Sequence, residues 1–199
     1  MRALLNRHDE TVLLEMEKYA SREDFPIVNR HVGVTIEILA RAIRARRVFE
    51  LGSGYGYSAF WFARAVPQNG EVHCTDSDPE NAEKAKEFLS RSRLWHLITF
   101  HVGDALASLR QVGGEWDVIY NDIDKEGYPD AWKLARDHVR VGGLYICDNV
   151  LRVGGAPRKL AGQWREAIRE HNESVMGDSR FLSSILPIRE GLMVAYRLR

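Results

Sequence analysis

Residues 48–58 of this 199-residue chain read Val-Phe-Glu-Leu-Gly-Ser-Gly-Tyr-Gly-Tyr-Ser. A short apolar run ends in an acid, Glu50, opens into glycines at alternate positions and then becomes helical from Ala59 onward. Glycines occur where the backbone needs a positive φ or where a ligand comes closer than a Cβ would allow. The stretch therefore predicts a strand, a ligand-binding turn and a helix in succession; a glycine-rich turn without a ligand is the alternative.

The spacing of the glycines indicates which ligand the turn would bind. A dinucleotide fold needs Gly-x-Gly-x-x-Gly. Here the third glycine, Gly56, comes one residue early, and Tyr57 stands where that pattern requires glycine. Glu50 would also repel a pyrophosphate, whereas it suits a ligand with an amino or hydroxyl group. The pattern therefore disfavours a nicotinamide-dependent oxidoreductase.

Composition and charge exclude several other classes. The chain carries 28 Lys and Arg against 28 Asp and Glu, so no overall field attracts nucleic acid or an anionic membrane. No apolar run approaches the ~18 residues of a membrane span, and charge interrupts the N-terminus too early for a signal peptide. Cys74 and Cys147 are expected as buried, reduced thiols, which favours a cytoplasmic location. We expect one domain over residues 1–199.

Hydrophobic periodicity predicts a helical arm followed by alternating strands and helices. Residues 1–46 show helical spacing, and the core follows over residues 47–199. Predicted helices include residues 79–91, capped by Asp78, and residues 129–139. Predicted strands cover residues 48–51, 71–76, 98–102, 116–120 and 144–148, and the last two, 181–188 and 191–198, form a hairpin. This order predicts an α/β, doubly wound, mostly parallel sheet that ends in an antiparallel hairpin.

Ligands of such sheets bind beyond the carboxyl ends of the strands, where several acids of this chain fall. Asp76 closes the second strand and can accept hydrogen bonds from both hydroxyls of a ribose. Asp104 and Ala105 follow the third strand, where a side-chain acceptor and a backbone N–H could recognise an adenine edge. Asp104 could instead only cap the next helix.

Oxygen ligands follow the fourth and fifth strands. Asp122, Asp148 and Asn149 offer hard oxygens without sulfur or imidazole, which favours Mg²⁺, with Ca²⁺ or Mn²⁺ as alternatives. Lys125 lies three residues after Asp122 and could take the proton from a substrate hydroxyl. The alternative is a surface lysine that pairs with Glu126 or Asp124.

Taken in order, these motifs resemble the cation-dependent class I O-methyltransferases, which use S-adenosylmethionine (SAM) and include the catechol and caffeoyl-coenzyme A enzymes. The match runs from about Phe25 to the last strand. It includes Gly-Tyr-Ser at 56–58, Asp-x-Asp-Lys at 122–125, Tyr128, Gly-Gly-Leu followed by Asp-Asn-Val-Leu, and Leu-Pro-Ile followed by Gly191.

The resemblance implies a Rossmann-like fold, a homodimer and methyl transfer to a metal-held hydroxyl of a small catechol-like or phenolic acceptor. Asp122, Asp148 and Asn149 would bind the metal, and Lys125 would be the base. The residues expected to bind SAM are Glu50, Gly52, Ser53, Gly54, Gly56, Ser58, Asp76, Asp104 and Ala105, with Asp124 nearby.

The identity of the acceptor is left open. Arg152 stands where the family often has an aromatic residue, and Glu190 replaces the usual aspartate before Gly191. The chain also resembles bacterial methyltransferases of 5-hydroxyuridine in tRNA. Two basic groups could contact RNA, but a solvated helix end is the favoured explanation of the first. They are Arg41, Arg44, Arg46 and Arg47, and Arg152, Arg158 and Lys159.

A non-catalytic SAM- or nucleotide-binding module is the remaining alternative. It would keep the glycine turn and Asp76. It would have no use for Asp122, Lys125, Asp148 and Asn149 together, and the sequence therefore favours an enzyme.

Overall fold

The computed structural model describes residues 7–151 and 161–199, with side chains from residue 11 onward. The helices are α1 Arg7–Glu23, α2 Arg30–Ala42, α3 Tyr57–Ala65, α4 Pro79–Leu89, α5 Ala105–Val112, α6 Tyr128–His138 and α7 Ala161–Gly177. The strands are β1 Arg47–Leu51, β2 Glu71–Asp76, β3 Ile98–Val102, β4 Trp116–Asn121, β5 Val139–Cys147, β6 Phe181–Leu186 and β7 Leu192–Arg197.

The seven strands form one sheet in the order β3-β2-β1-β4-β5-β7-β6. Strands β1 to β5 are parallel, whereas β7 is antiparallel to both β5 and β6. From β1 the chain adds β2 and β3 on one side and then crosses to add β4 and β5 on the other. Such sheets bind their ligands at this reversal of strand order, between β1 and β4. The doubly wound sheet with a terminal hairpin, predicted from the sequence, is confirmed.

Strand β5 is longer than the sequence predicted. It begins at Val139, not at residue 144, and Val139 pairs with Trp116 before the register shifts. Gly142, at φ +79°, lies within the irregular segment, between the predicted helix and the predicted strand. The predicted helix over residues 129–139 is α6, which ends one residue earlier because Val139 already belongs to the strand.

The hairpin strands are shorter than predicted. Their last pair is Leu186 with Leu192, so β6 stops before Pro187. Proline has no N–H to donate to a ladder, which explains why the predicted extension to residue 188 does not form.

The N-terminal helices pack against the core and bring their connection to the ligand edge of the sheet. Val12, Met16, Val32 and Ile36 are buried at the predicted helical spacing. At Gly33 a Cβ would lie 2.3 Å from Trp61 Nε1, so only glycine lets α2 approach α3 so closely.

Two further sequence expectations can be compared with the structure. Cys74 and Cys147 are buried free thiols, as predicted. None of the described helices is both long and apolar enough to cross a membrane.

Candidate active site

A cleft of about 610 Å³ opens beyond the carboxyl ends of the parallel strands. Most residues selected from the sequence line it: Gly52, Ser53, Gly54, Ser58, Asp76, Asp104, Ala105, Asp122, Asp124, Lys125 and Asn149. Glu50, Gly56 and Asp148 are not among the described residues that line it, and all three are buried. The structure therefore brings the predicted SAM, metal and base residues to one place.

The turn after β1 requires glycine for two different reasons. Gly52 has φ +79°, and a Cβ there would lie 2.8 Å from the Asp122 carbonyl oxygen, so a side chain would push β4 away. Gly56 has φ +84° at the N-cap of α3, where a Cβ would lie 2.9 Å from Leu89 Cδ1. Gly52 thus shapes the cleft, whereas Gly56 permits the close packing of α3 on α4.

Glu50 lies under the turn, where it holds two hydroxyl groups. Its carboxyl group accepts hydrogen bonds from Ser53 Oγ at 2.8 Å and from Ser58 Oγ. Burial raises the pKa of Glu50 to about 7, and the two hydroxyl donors act in the opposite direction. Both serines line the cleft, so Glu50 orients the wall of the cleft from beneath.

Thr75 completes this support, and sequence analysis did not select it. Its hydroxyl donates to the Glu50 carbonyl oxygen at 2.9 Å and accepts from the Gly52 N–H at 3.1 Å. Its own carbonyl oxygen accepts from the Ser53 N–H at 2.8 Å. The sequence signal that could have identified Thr75 is its position one residue before Asp76, the acid that closes β2.

The acid that closes β2 is held rigidly at the cleft. Asp76 accepts hydrogen bonds from Gly54 N–H at 3.0 Å, Asp78 N–H at 2.9 Å and Asn81 Nδ2 at 3.0 Å. These contacts fix the carboxylate in the position expected for contact with a ribose.

Asp104 is both a helix cap and a residue of the cleft wall. Its Oδ1 accepts from the Ala107 N–H at 2.7 Å, so Asp104 caps α5. It also lines the cleft with Ala105. Capping and ligand contact are therefore compatible at this residue.

The two acids after β4 and β5 are neighbours because those strands are parallel and in register. Asn121 pairs with Cys147, so the next residues of the two strands are Asp122 and Asp148. Neither carboxylate oxygen of Asp148 has a hydrogen-bond partner among the described residues, although the side chain is fully buried. Burial raises the pKa of both carboxyl groups, and their mutual repulsion raises that of Asp122 further.

These groups fit a hard divalent cation. The two buried oxygens of Asp148 lack partners, and Asn149 adds an amide from a backbone at φ +59°. No three His, Cys, Asp or Glu side chains within residues 11–151 and 161–199 converge as a metal site. The set that could hold the cation therefore has two carboxylates and one amide, and it leaves positions for water or substrate oxygens.

Lys125 faces this pair of acids. It begins a short 3-10 helix, Lys125–Gly127, and is only 6% exposed. Its Nζ lies 3.4 Å from Asp122 Oδ1 and donates to Tyr128 Oη at 2.6 Å. Tyr128 in turn donates to the Asp148 carbonyl oxygen at 2.8 Å. A surface lysine paired with Glu126 or Asp124 is not what the structure shows.

Among the residues of the cleft wall that were not selected from the sequence, several come from segments outside the parallel strands and their connections to the next helix. Phe25 comes from the α1–α2 connection, Trp164 from α7, and Arg189 from the β6–β7 connection. Each is distant in sequence from the strand ends that guided the prediction, and no local pattern identifies them.

The first basic group lies away from the cleft. Arg47 begins β1, at the opposite end of the strand from Gly52, and pairs with Glu71. Arg41 pairs with Glu37 at 2.9 Å. Arg152, Arg158 and Lys159 of the second group lie outside the described residues.

Comparisons with known proteins agree with this geometry. A family model described as O-methyltransferase matches residues 6–198. Caffeoyl-CoA O-methyltransferase 2 of Populus trichocarpa is 31% identical over 180 residues, which cover 84% of this chain and 73% of that protein. A catechol O-methyltransferase of Niastella koreensis is 34% identical over 131 residues, 64% of this chain and 59% of that protein. The structure of the O-methyltransferase from Bacillus cereus in complex with SAH has a TM-score of 0.84 and 25% identity, with 94% of this chain and 90% of that one covered.

Proposed function

Since the chain belongs to the O-methyltransferase family, we propose that it transfers the methyl group of SAM to a hydroxyl of a small catechol-like or phenolic acceptor beside a divalent cation. One observation carries this proposal. The glycine turn and Asp76 line the same cleft as Asp122, Lys125 and Asn149, so a nucleoside donor and a hydroxyl acceptor can meet there.

The two halves of the cleft have separate tasks in the proposed reaction. Ser53, Ser58 and Asp76, held by Glu50 and the Gly54 amide, bind and orient the donor. Asp122, Asp148 and Asn149 would hold a cation such as Mg²⁺, which would acidify and orient the acceptor hydroxyl, while SAM supplies an electrophilic methyl group. Proximity and orientation of the two reactants then provide much of the rate enhancement.

Lys125 removes the proton of the acceptor hydroxyl as the new O–C bond forms and the bond between the SAM sulfur and its methyl group breaks, which leaves S-adenosylhomocysteine. Its amine is held against Asp122 and Tyr128, at the acid pair, where the acceptor oxygen would lie. General base catalysis of this kind contributes about 10²–10⁴-fold. Burial of the lysine limits the access of water that would compete for the proton.

The alternatives have less support in the structure. For a tRNA acceptor, the described basic group around Arg47 lies at the wrong end of the sheet. For a non-catalytic module, the buried, unpartnered oxygens of Asp148 and the buried Lys125 would serve no purpose. The homodimer and the cytoplasmic location expected from the sequence stay predictions.

Methyl transfer from labelled SAM to a panel of catechols and to undermodified tRNA, with Mg²⁺ or excess chelator, tests the proposal. We expect product from a catechol with Mg²⁺ and none with chelator, while calorimetry still detects SAM binding. Transfer to tRNA alone would establish the alternative acceptor, and full turnover in chelator would refute the role of the metal.

A matched pair of glycine variants tests the donor site. Gly54→Val should abolish SAM binding, because Gly54 has φ +50° and its Cβ would lie 2.9 Å from Phe25 Cε1. Gly177→Ala is the control, since a Cβ there meets nothing within 4 Å. Equal SAM affinity in the two variants would contradict a donor site at the turn.

A further inference from the structure

Arg189 brings a positive charge to the acceptor side of the cleft that the reaction as described does not use. It lies between β6 and β7 with φ +52°, a backbone conformation that residues other than glycine seldom adopt. Its Nη1 donates to the Ile27 carbonyl oxygen at 2.9 Å and lies 4.0 Å from Asp148 Oδ2. The guanidinium is therefore held beside Asp148, on the wall of the cleft.

The contacts of Arg189 leave it able to bind an anion. A guanidinium has five N–H groups, and the Ile27 contact uses only one of its nitrogens. The 4.0 Å separation from Asp148 is too long for a hydrogen bond. Lys125, the other lysine or arginine among the described residues that line the cleft, is already engaged by Tyr128 and Asp122.

An aromatic wall lies in the same cleft. Trp164 of α7 lines it, and the indole Nε1 donates to Glu126 Oε1 at 2.7 Å, which fixes the orientation of the ring. Glu126 belongs to the 3-10 helix that begins at Lys125, so the indole is tied to the segment that carries the base. An aromatic ring of the acceptor can stack there while its hydroxyl faces Lys125.

The size of the cleft limits what the anion can belong to. About 610 Å³ must hold both the donor nucleoside and the acceptor, so an acceptor whose charge lies on the ring fits better than one with a long charged tail. Arginine binds a carboxylate through two parallel hydrogen bonds, which gives orientation as well as affinity.

We propose that Arg189, with Trp164 as the ring wall, selects an aromatic acceptor that carries a carboxylate in addition to its hydroxyl groups. The inference rests on the proposed function, because it names the acceptor class of the same site. Arg189 is then a specificity residue, and its guanidinium pairs with the carboxylate while Lys125 serves the hydroxyl.

A charge-matched pair of acceptors tests this proposal. 3,4-Dihydroxybenzoate and 3,4-dihydroxybenzamide share the ring and both hydroxyls and differ in charge. We expect the wild-type kcat/KM to favour the acid by about 10- to 100-fold, the range typical of a charged hydrogen-bonded pair. Arg189→Gln should bring this ratio close to one, and Arg189→Lys should retain part of it.

Two further variants separate charge recognition from other effects. Trp164→Ala should raise KM for both acceptors by the same factor, because stacking does not depend on the carboxylate. Arg110→Gln removes an exposed arginine in the last turn of α5 and should leave the acid-to-amide ratio unchanged.

The outcomes distinguish this inference from the proposed function. Equal use of acid and amide by the wild type, or the same loss on both in Arg189→Gln, would overturn the inference and leave the methyltransferase proposal intact. Methylation of neither acceptor would count against the proposed function. Calorimetry with S-adenosylhomocysteine and Mg²⁺ would then decide the inference: tighter binding of the acid that depends on Arg189 supports it, and equal or absent binding overturns it.

Discussion

At the scale of single residues, Lys125 combines burial with three polar neighbours. Its Nζ reaches Tyr128 Oη at 2.6 Å, Asp122 Oδ1 at 3.4 Å and the Ile123 carbonyl oxygen at 3.5 Å. A lysine that served only as a surface charge would not be buried in this way, because burial of an ammonium is costly unless it is paired. The contacts fix the direction from which the amine can approach a substrate proton.

Removal of this amine should reduce turnover by about 10²–10⁴-fold in Lys125→Ala, while SAM affinity changes little. Lys125→Arg should not restore activity, since a guanidinium stays protonated at the working pH. Raising the pH should partly restore the alanine variant, because the acceptor hydroxyl then ionises without a base. Steady-state kinetics and calorimetry measure these effects, and near-normal turnover of Lys125→Ala at neutral pH would refute the assignment.

Tyr128 is a positioning residue for the lysine. It accepts from Lys125 Nζ and donates to the Asp148 carbonyl oxygen, so it joins the base to the loop that carries two proposed metal ligands. Tyr128→Phe keeps the ring and removes both bonds.

For Tyr128→Phe we expect kcat to fall by about tenfold, comparable to the loss of one such hydrogen bond, and KM for SAM to stay unchanged. The pH dependence of kcat should also move, since the lysine loses a partner. A purely structural role would lower thermal stability without moving the pH profile. Trp132→Phe, another fully buried aromatic residue of α6, is the control for packing.

At the scale of elements, a buried chain of hydrogen bonds joins α7 to β4 and β5. Asn121 Nδ2 donates to Tyr145 Oη at 3.1 Å, and Tyr145 Oη lies 3.0 Å from His171 Nε2. His171 Nδ1 lies 3.0 Å from Asn172 Oδ1, and Asn172 Nδ2 donates to the Val150 carbonyl oxygen at 2.8 Å. Each of these four contacts has one donor and one acceptor if His171 is neutral with its proton on Nδ1.

This chain of hydrogen bonds predicts that His171 contributes to the pH dependence of the free energy of unfolding. Burial lowers the pKa of His171 to about 4, whereas an unfolded histidine titrates near 6.5. As the pH falls from about 6.5 to 4, the unfolded chain binds a proton that the folded chain does not bind. The contribution of His171 to the free energy of unfolding should therefore fall over this window by up to about 3 kcal/mol.

Denaturant unfolding of wild type and His171→Gln at a series of pH values isolates this contribution, because other titrating groups are common to both proteins. The difference in the free energy of unfolding between wild type and His171→Gln should shrink by up to about 3 kcal/mol as the pH falls from 6.5 to 4, and the exposed His31→Gln should keep the wild-type profile. Parallel curves for wild type and His171→Gln would show that the histidine titrates normally in the folded chain.

The same elements show how far the sequence could predict the site. Asp76, Asp104 and Asp122 were identifiable because strand ends in an alternating pattern must meet at one edge of the sheet. The early start of β5 at Val139 and the contact of Arg189 with Ile27 depend on pairings between residues far apart in the chain. No local periodicity carries such information, so these features required the structure.

At the scale of the whole molecule, the proposed metal site weakens the fold that carries it. Asp148 is fully buried at the ligand edge of the sheet, and its oxygens have no hydrogen-bond partner within residues 11–151 and 161–199. The guanidinium of Arg189 at 4.0 Å offsets its charge only in part. A buried carboxylate in this situation is destabilising unless a cation or a proton neutralises it, which agrees with its raised pKa.

Replacement of this one carboxylate should therefore have opposite effects without and with metal. In chelator at neutral pH, Asp148→Asn should be more stable than wild type by about 1–3 kcal/mol, since it removes a buried charge that Arg189 offsets only in part. With Mg²⁺ at about 100 times its dissociation constant, wild type should gain about 2.7 kcal/mol and the variant far less. Thermal unfolding followed with and without Mg²⁺ measures both effects.

Asp130→Asn, which changes a surface carboxylate that is 70% exposed, should show neither. A variant that is less stable in chelator and gains as much from Mg²⁺ as wild type would remove Asp148 from the metal site, because a ligand must contribute to the linkage between binding and folding.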